Sequence, residues 1–268
     1  MAATHPSDPR VGNLIARGRT ADVYAWGDHE ILKLFNEGFG ADMIDHEARI
    51  ARAVHASGVP TPPPGDVIDV DGRIGLLYAR VSGVSMQQAL LRRPWQALGW
   101  AKCLARLHAG MHARAFGAEF PEQRTVLRVK IERAAALPDD RRVAALGGLE
   151  RMPDGDRICH GDMHPGNVQI TPQGPVILDW ADATRGNPLA DVARTSVILR
   201  GMAGSPSAGS AAVRLFVQVF HAVYLSHYFH LRPAGRDEYQ RWLPLVAAAR
   251  LSENIPGQEA WLLARARG

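Results

Sequence analysis

Lysine is almost missing from this chain of 268 residues: of 31 basic residues, 28 are arginine and only Lys33, Lys102 and Lys130 are lysine. So strong an Arg-over-Lys, Ala-rich usage suggests a GC-rich coding sequence, and it marks each remaining lysine as a position worth inspecting. Cysteine is equally scarce. Cys103 and Cys159 lie in apolar surroundings and make no disulfide framework, so both read as small buried hydrophobes. No stretch of about 18 residues is uninterrupted and apolar. Even Ala211–Phe229 is broken by Arg214, Gln218, His221 and His227, so nothing is expected to span a membrane. Met1–Arg10 is polar and has no apolar core like that of a signal peptide. The arginines are scattered, with no run longer than Arg92-Arg93 or Arg141-Arg142, and no basic cluster interleaves with aromatics. A nucleic-acid surface is therefore not expected either. These absences describe a soluble cytoplasmic protein.

What is present is enough for a core. With 46% hydrophobic and 22% charged residues and a net charge of +4, the chain buries substantial surface without strong self-repulsion. The first 80 or so residues read as short strands with one helix. Gly12–Ala16, Asp22–Trp26, Glu30–Phe35, Val67–Val70 and Arg73–Ala79 are strand candidates separated by turn residues. Ala41–Ser57 reads as a helix, with Ile44, Ala48, Ala51 and His55 at helical spacing. From Pro94 the period changes to that of helices, over Trp95–His112, Thr125–Leu137, Leu189–Arg200, Ala211–Leu231, Arg236–Ser252 and Gly257–Arg267. Short strands interrupt them at Arg157–His160, Val168–Thr171 and Val176–Asp179. The reading is an α+β fold of two lobes: a small β-rich N-terminal lobe over 1–80 and a larger helical lobe over 81–268, crossing near 80–85.

The densest chemistry lies in His160-Gly161-Asp162-Met163-His164-Pro165-Gly166-Asn167, followed by Val176-Ile177-Leu178-Asp179-Trp180. In kinase chemistry one Asp sits against the attacking hydroxyl, an Asn five positions later and an Asp on the next strand hold Mg²⁺ ions, and those ions bridge the ATP phosphates. Asp162 and Asn167 have that separation, and Asp179 follows Asp162 by 17 residues, room for two hairpin strands. Asp-x-x-x-x-Asn alone is a common chance match; with the preceding His, the Pro-Gly turn and the strand Asp it becomes specific.

These residues resemble the catalytic loop and metal-binding strand of the aminoglycoside phosphotransferase and choline kinase family, which shares its fold with protein kinases. The resemblance implies that Asp162 orients and deprotonates a substrate hydroxyl, that Asn167 and Asp179 are metal ligands, and that ATP and Mg²⁺ are the cofactors. His160 reads as a buttress hydrogen-bonded to backbone, and His164 receives no role. Leu104–His108 resembles the family's helix beneath the catalytic loop, with His108 structural. Asp191 resembles the buried Asp that supports that loop, against the plain alternative of a first-turn helix Asp. Where the family usually shows an acid, this chain has Asn187.

The same template applied to the first lobe aligns Ala16-Arg17-Gly18-Arg19-Thr20-Ala21-Asp22-Val23 with a phosphate loop of which only the central Gly18 survives. Arg17 and Arg19 either assist there or are solvated turn arginines. Lys33 stands mid-strand in Ile31-Leu32-Lys33-Leu34-Phe35. A lysine inside an apolar strand costs free energy unless a charge meets it. The resemblance assigns it to the ATP α- and β-phosphates. Its partner is expected from the following helix, with Glu47 first and Asp42 and Asp45 behind it.

Regulated protein kinases carry Arg before the catalytic Asp to receive a phosphorylated loop, and here that position is Gly161. Asp179 leads within about ten residues to the Asn187-Pro188 helix start, leaving no long loop for phosphorylation to order. The expected partner is a small molecule bearing a hydroxyl, not a protein. Three readings stay open: an antibiotic-inactivating enzyme, a metabolic kinase for an amino alcohol, sugar or amino acid, and a non-catalytic nucleotide-binding module.

Overall fold

Strand-forming residues dominate the start of the chain, and there the computed structural model, which describes residues 6–18, 20–204 and 209–267, has a five-stranded antiparallel sheet. Its strands are β1 (Val11–Arg17), β2 (Ala21–Trp26), β3 (Glu30–Phe35), β4 (Pro64–Val70) and β5 (Arg73–Ala79), in the order β1-β2-β3-β5-β4. Helix α1 (Ala41–Ala56) lies between β3 and β4 in sequence. The two-residue period of β3 divides its side chains between two clusters. Leu32 and Leu34 pack with Tyr24, Trp26 and Leu77, whereas Phe35 packs with Ile44 and Ala48 of α1 and with Leu76 of β5. Lys33 therefore shares the α1 face with Phe35. On α1 the buried stripe is Ile44, Glu47, Ala48, Ile50, Ala51 and Val54. Val54 takes the place expected of His55, whose imidazole is exposed to water.

Beyond β5 come a two-residue strand β6 (Val84–Ser85), helices α2 (Met86–Arg92), α3 (Ala97–Met111), α4 (Gln123–Arg133) and α5 (Asp139–Glu150), and strand β7 (Arg157–Cys159). A hairpin β8 (Val168–Thr171) and β9 (Gly174–Ile177), strand β10 (Thr184–Gly186), and helices α6 (Pro188–Gly204), α7 (Ala211–Leu231), α8 (Arg236–Arg250) and α9 (Glu259–Leu263) follow. The chain divides into two units: Met1–Val84 with Gln169–Ala181, and Ser85–Val168 with Asp182–Gly268. Gln169–Ala181, which the sequence reading left with the helical lobe, belongs to the first unit for a local reason. The Ile177 N–H donates to the Pro60 carbonyl at 2.8 Å, and the Trp180 indole donates to the Thr61 hydroxyl at 2.9 Å.

In the second unit α6 is buried on nearly all sides and packs against α7 and α8, while α3 packs along α7. Enclosed on nearly all sides, α6 is a central helix of this unit, and its buried Asp191 and Arg194 must find partners there. Strand β7 pairs antiparallel with β10, Cys159 opposite Thr184. Four elements were not anticipated from sequence: β6, α2, α5 and β10. Helix α5 buries only Ala145 and Leu149 and carries Gly147-Gly148, so its periodicity is faint. Among the described residues no helix is long and apolar enough to cross a membrane.

Candidate active site

In the first unit the chemistry gathers on Lys33. Its Nζ donates to Glu47 Oε1 at 2.6 Å and to Asp179 Oδ1 at 3.1 Å. Glu47 arrives on the buried stripe of α1, one place before Ala48, which is why a carboxylate meets the strand lysine inside an apolar layer. Asp42 and Asp45, the other acids considered, are not its partners. Burial opposes the Lys33 ammonium, but Asp179 and Glu47 outweigh it and hold the group above the ordinary lysine value. Asp179 lies two residues past β9 in the left-handed region, φ 59°, unusual for a residue with a side chain. Its side chain is 53% exposed, so Lys33 occupies only part of it.

The β1–β2 turn has its own constraint. The Gly18 N–H donates to the Ala21 carbonyl at 2.9 Å, and a Cβ at Gly18 would stand 2.8 Å from that oxygen. The surviving glycine is thus required by a close backbone approach. Arg19 lies outside the described residues, and Arg17 is exposed.

In the second unit the loop after β7 is built around Asp191, at the start of α6. Asp191 Oδ2 accepts the His160 N–H at 2.6 Å and Oδ1 accepts the Gly161 N–H at 2.9 Å. Nε2 of His108, in the last turn of α3, and Nε2 of His112, which caps that helix, lie 3.1 and 3.2 Å from Oδ2. Their Nδ1 atoms meet the hydroxyls of Tyr224 and Tyr228 from α7 at 2.6 and 2.8 Å. Burial works against the Asp191 charge, yet the histidine hydrogen bonds hold its carboxyl well below the usual carboxylate range. His112, fully enclosed and beside His108, is pushed down to about 3. His112 is therefore neutral at pH 7, with its Nε2–H donating to Asp191 and its Nδ1 accepting from the Tyr228 hydroxyl.

That pinned backbone presents Asp162. Gly161 has φ +77°, and a Cβ there would lie 2.4 Å from the Asp182 carbonyl, so the position that carries Arg in regulated protein kinases admits no side chain here. His160 Nδ1 accepts the Asp162 N–H at 3.1 Å, the backbone buttress expected of it. Asn167 Nδ2 donates to the Asp162 carbonyl at 2.9 Å and to its Oδ2 at 3.1 Å. His164 caps the short turn Pro165–Asn167 by accepting the Gly166 N–H, and its Nε2 lies 3.4 Å from Asp162 Oδ2. Burial raises the Asp162 pKa, but His164, Arg194 and His160 together bring it down to about 2. It is a carboxylate at any physiological pH.

Around this loop stand further charges, of which lysine scarcity marks only Lys130. Arg194 Nε donates to the Gly161 carbonyl at 2.8 Å, and its Nη2 lies 2.5 Å from Glu253 Oε1. Glu253 also meets Arg250 at 3.2 Å and Lys130 at 3.7 Å, and Lys130 reaches Asp182 at 3.0 Å. A small cavity of about 30 Å³ is lined by Lys130, Gly161, Asp182, Asp191 and Arg194 among others. Lys130 was flagged by lysine scarcity alone; Arg194, three residues past Asp191, carried no signal in an arginine-rich chain.

The sequence model of the phosphotransferase enzyme family matches residues 11–225. Comparison with curated protein sequences gives no match. Among solved structures the chain is similar to an aminoglycoside-3'-phosphotransferase of type VIII, with 19% identity, a TM-score of 0.60 and 90% of each chain covered. It is similar to an amicoumacin kinase in complex with AMP-PNP and Ca²⁺, at 16% identity and TM-score 0.64, covering 97% of this chain and 87% of that one. It also resembles choline kinase from Cryptosporidium parvum, at 11% identity and TM-score 0.59, over 97% and 90% of the two chains. At such identities the likeness establishes the fold, which is protein-kinase-like and α+β.

Proposed function

The chain belongs to the phosphotransferase enzyme family, and from that premise we propose that it is an ATP-dependent enzyme that transfers the γ-phosphoryl group to a small hydroxyl compound of low positive charge, with Asp162 as the base. The observation that carries the reading is the Asp162 loop: an ionised, part-exposed carboxylate on a backbone pinned by Asp191. Such a group is oriented to receive a proton without moving its support. Lys33, steered by Glu47, contacts the α- and β-phosphates, and the tight Gly18 turn lets backbone approach the nucleotide. His160 and Asp191 hold the loop.

Asn167 and Asp179 suit Mg²⁺ by donor chemistry. Asn167 spends its amide N–H on Asp162, which leaves its carbonyl oxygen as an acceptor, and Asp179 offers an exposed carboxylate in a strained backbone. When bound, the metal neutralises charge developing on the phosphates. A cytoplasmic location, where ATP is supplied, is part of the proposal.

Two acceptor classes remain: antibiotics, for which the solved complex of a similar fold with ADP and hygromycin B is one support, and hydroxylated metabolites such as amino alcohols, sugars and amino acids. ADP formation measured over a panel of both classes separates them. Asp162→Asn is expected to keep the fold and nucleotide affinity while turnover falls at least about 10²-fold. Parent-like turnover by a folded Asp162→Asn protein would sink the reading.

A further inference from the structure

Of the two carboxylate oxygens on Asp162, one is already engaged. Oδ2 accepts from Asn167 and faces His164, whereas Oδ1 takes no hydrogen bond from a described residue and has Arg194 Nη2 4.0 Å away. Arg194 is itself nearly buried, 9% exposed, with Nε fixed on the Gly161 carbonyl. A guanidinium so enclosed must find an anion for its outer nitrogens. Two carboxylates compete for Nη2, and Glu253, at 2.5 Å, wins over Asp162 at 4.0 Å.

We infer that Glu253 is a positioning residue: it holds Arg194 away from Asp162 and so keeps Oδ1 open as the oxygen that takes the acceptor's proton. The inference rests on the reading of Asp162 as base. Three cations from three helices, Lys130 of α4, Arg194 of α6 and Arg250 at the end of α8, converge on this one carboxylate within 3.7 Å. Arg250 Nε and Nη1 and Glu253 Oε1 are buried and make no aligned hydrogen bond. The cluster is thus held by charge more than by directional bonding, and removing the charge of Glu253 leaves Arg194 free to turn. The nearest anion to its Nη2 is then Asp162. A guanidinium seated on Oδ1 would occupy the place of the acceptor hydroxyl.

The test compares parent, Glu253→Gln, Arg194→Gln and the double variant, with Mg·ATP as donor and water as the acceptor, alongside ADP titration. Glu253→Gln is expected to lower kcat at least about tenfold while KM for ATP and ADP affinity stay within about threefold, because the loss falls on the transferring step and not on nucleotide binding. Removing Arg194 as well is expected to restore kcat to within about threefold of Arg194→Gln alone, a coupling that simple structural damage does not produce. Parent-like kcat in Glu253→Gln, or a double variant no faster than Glu253→Gln, overturns the assignment. If Glu253→Gln fails to fold, the double variant against Arg194→Gln decides: equal kcat supports the role, and a further tenfold loss removes it. Asp162→Asn is run beside them. Full hydrolysis by that variant defeats the reading of the base, whereas its inactivity beside an active Glu253→Gln defeats only the role of Glu253.

Discussion

Two aspartates, one in each unit, show how differently the same side chain is used. Asp191 is 1% exposed and accepts from two backbone N–H groups and two histidines. Asp179 is more than half exposed, holds one lysine at 3.1 Å, and sits in strained backbone. A carboxylate saturated by its own chain fixes structure, while one left with open lone pairs at a strained position is available to a ligand. The comparison breaks most directly by replacing each. Asp179→Ala is expected to abolish the enhancement of ATP affinity by Mg²⁺ with little change in melting temperature. Asp191→Asn is expected to cost about 2–4 kcal/mol of stability, because its amide N–H₂ would confront the histidine N–H donors. Titration of ATP with and without Mg²⁺, and thermal melts, read the two effects. If Asp179→Ala unfolds the protein and Asp191→Asn leaves it intact, the assignment of roles is reversed.

Lys33 sharpens the same contrast within the first unit. Arg keeps the charge but sets a wider planar fork between Glu47 and Asp179, in a layer packed with Phe35, Ile44 and Leu76. Lys33→Arg is expected to lower turnover more than about tenfold, while thermal stability changes little. Near-normal turnover would mean that a compact ammonium is not demanded there.

What was legible in the sequence follows this division. Strand period and turn residues bounded β3, β5 and β8 to the residue, and Asp162, Asn167 and Asp179 were visible because the five-residue spacing came with a preceding His, a Pro-Gly turn and an Asp after an apolar run. Glu47 could be named because a lysine inside a strand demands an anion. The supporting shell was much less visible. His112, which caps the end of α3, carried no motif of its own although it lies i+4 from His108. Arg194 and Glu253 belong to a contact between α6 and the turn after α8, 59 residues apart in sequence, which no local pattern encodes.

His112 supplies a pH signature of that shell. Its pKa in the fold is about 3, pushed down from the ordinary 6.5 by burial and by His108, with Arg232 adding to the effect and Asp191 opposing it. Above pH 6.5 both folded and unfolded states are neutral at this residue, and nothing is lost. As pH falls below 6.5 the unfolded chain takes a proton that the native protein refuses until about pH 3. Stability therefore declines through that window, by at most about 1.4 kcal/mol per pH unit from this group. His112→Gln is expected to be less stable than the parent at pH 7.5 and to lose less on acidification to pH 5. Denaturant unfolding at the two pH values reads the slopes; equal slopes would show that His112 is not the titrating group.

The smallest expected effect is one of sign. Residues 181–268 carry ten Arg against six acids, a net positive field. Most of those acids are already committed: Asp182 to Lys130, Asp191 to its histidines, Glu238 to Asn187 and Trp242, and Glu253 to three cations. Only Asp237 and Glu259 remain exposed without such partners among the described residues. A polycation would meet an unfavourable potential over this stretch, and that repulsion weakens as salt shortens the Debye length from about 10 Å at 0.1 M to about 3 Å at 1 M. The true acceptor is therefore expected to carry at most one or two positive charges, and its kcat/KM should not rise with added inert salt. A polycationic aminoglycoside emerging as the best substrate of the panel would contradict this. The acids that line its site would then have to be released from partners that hold them at 2.5 to 3.7 Å.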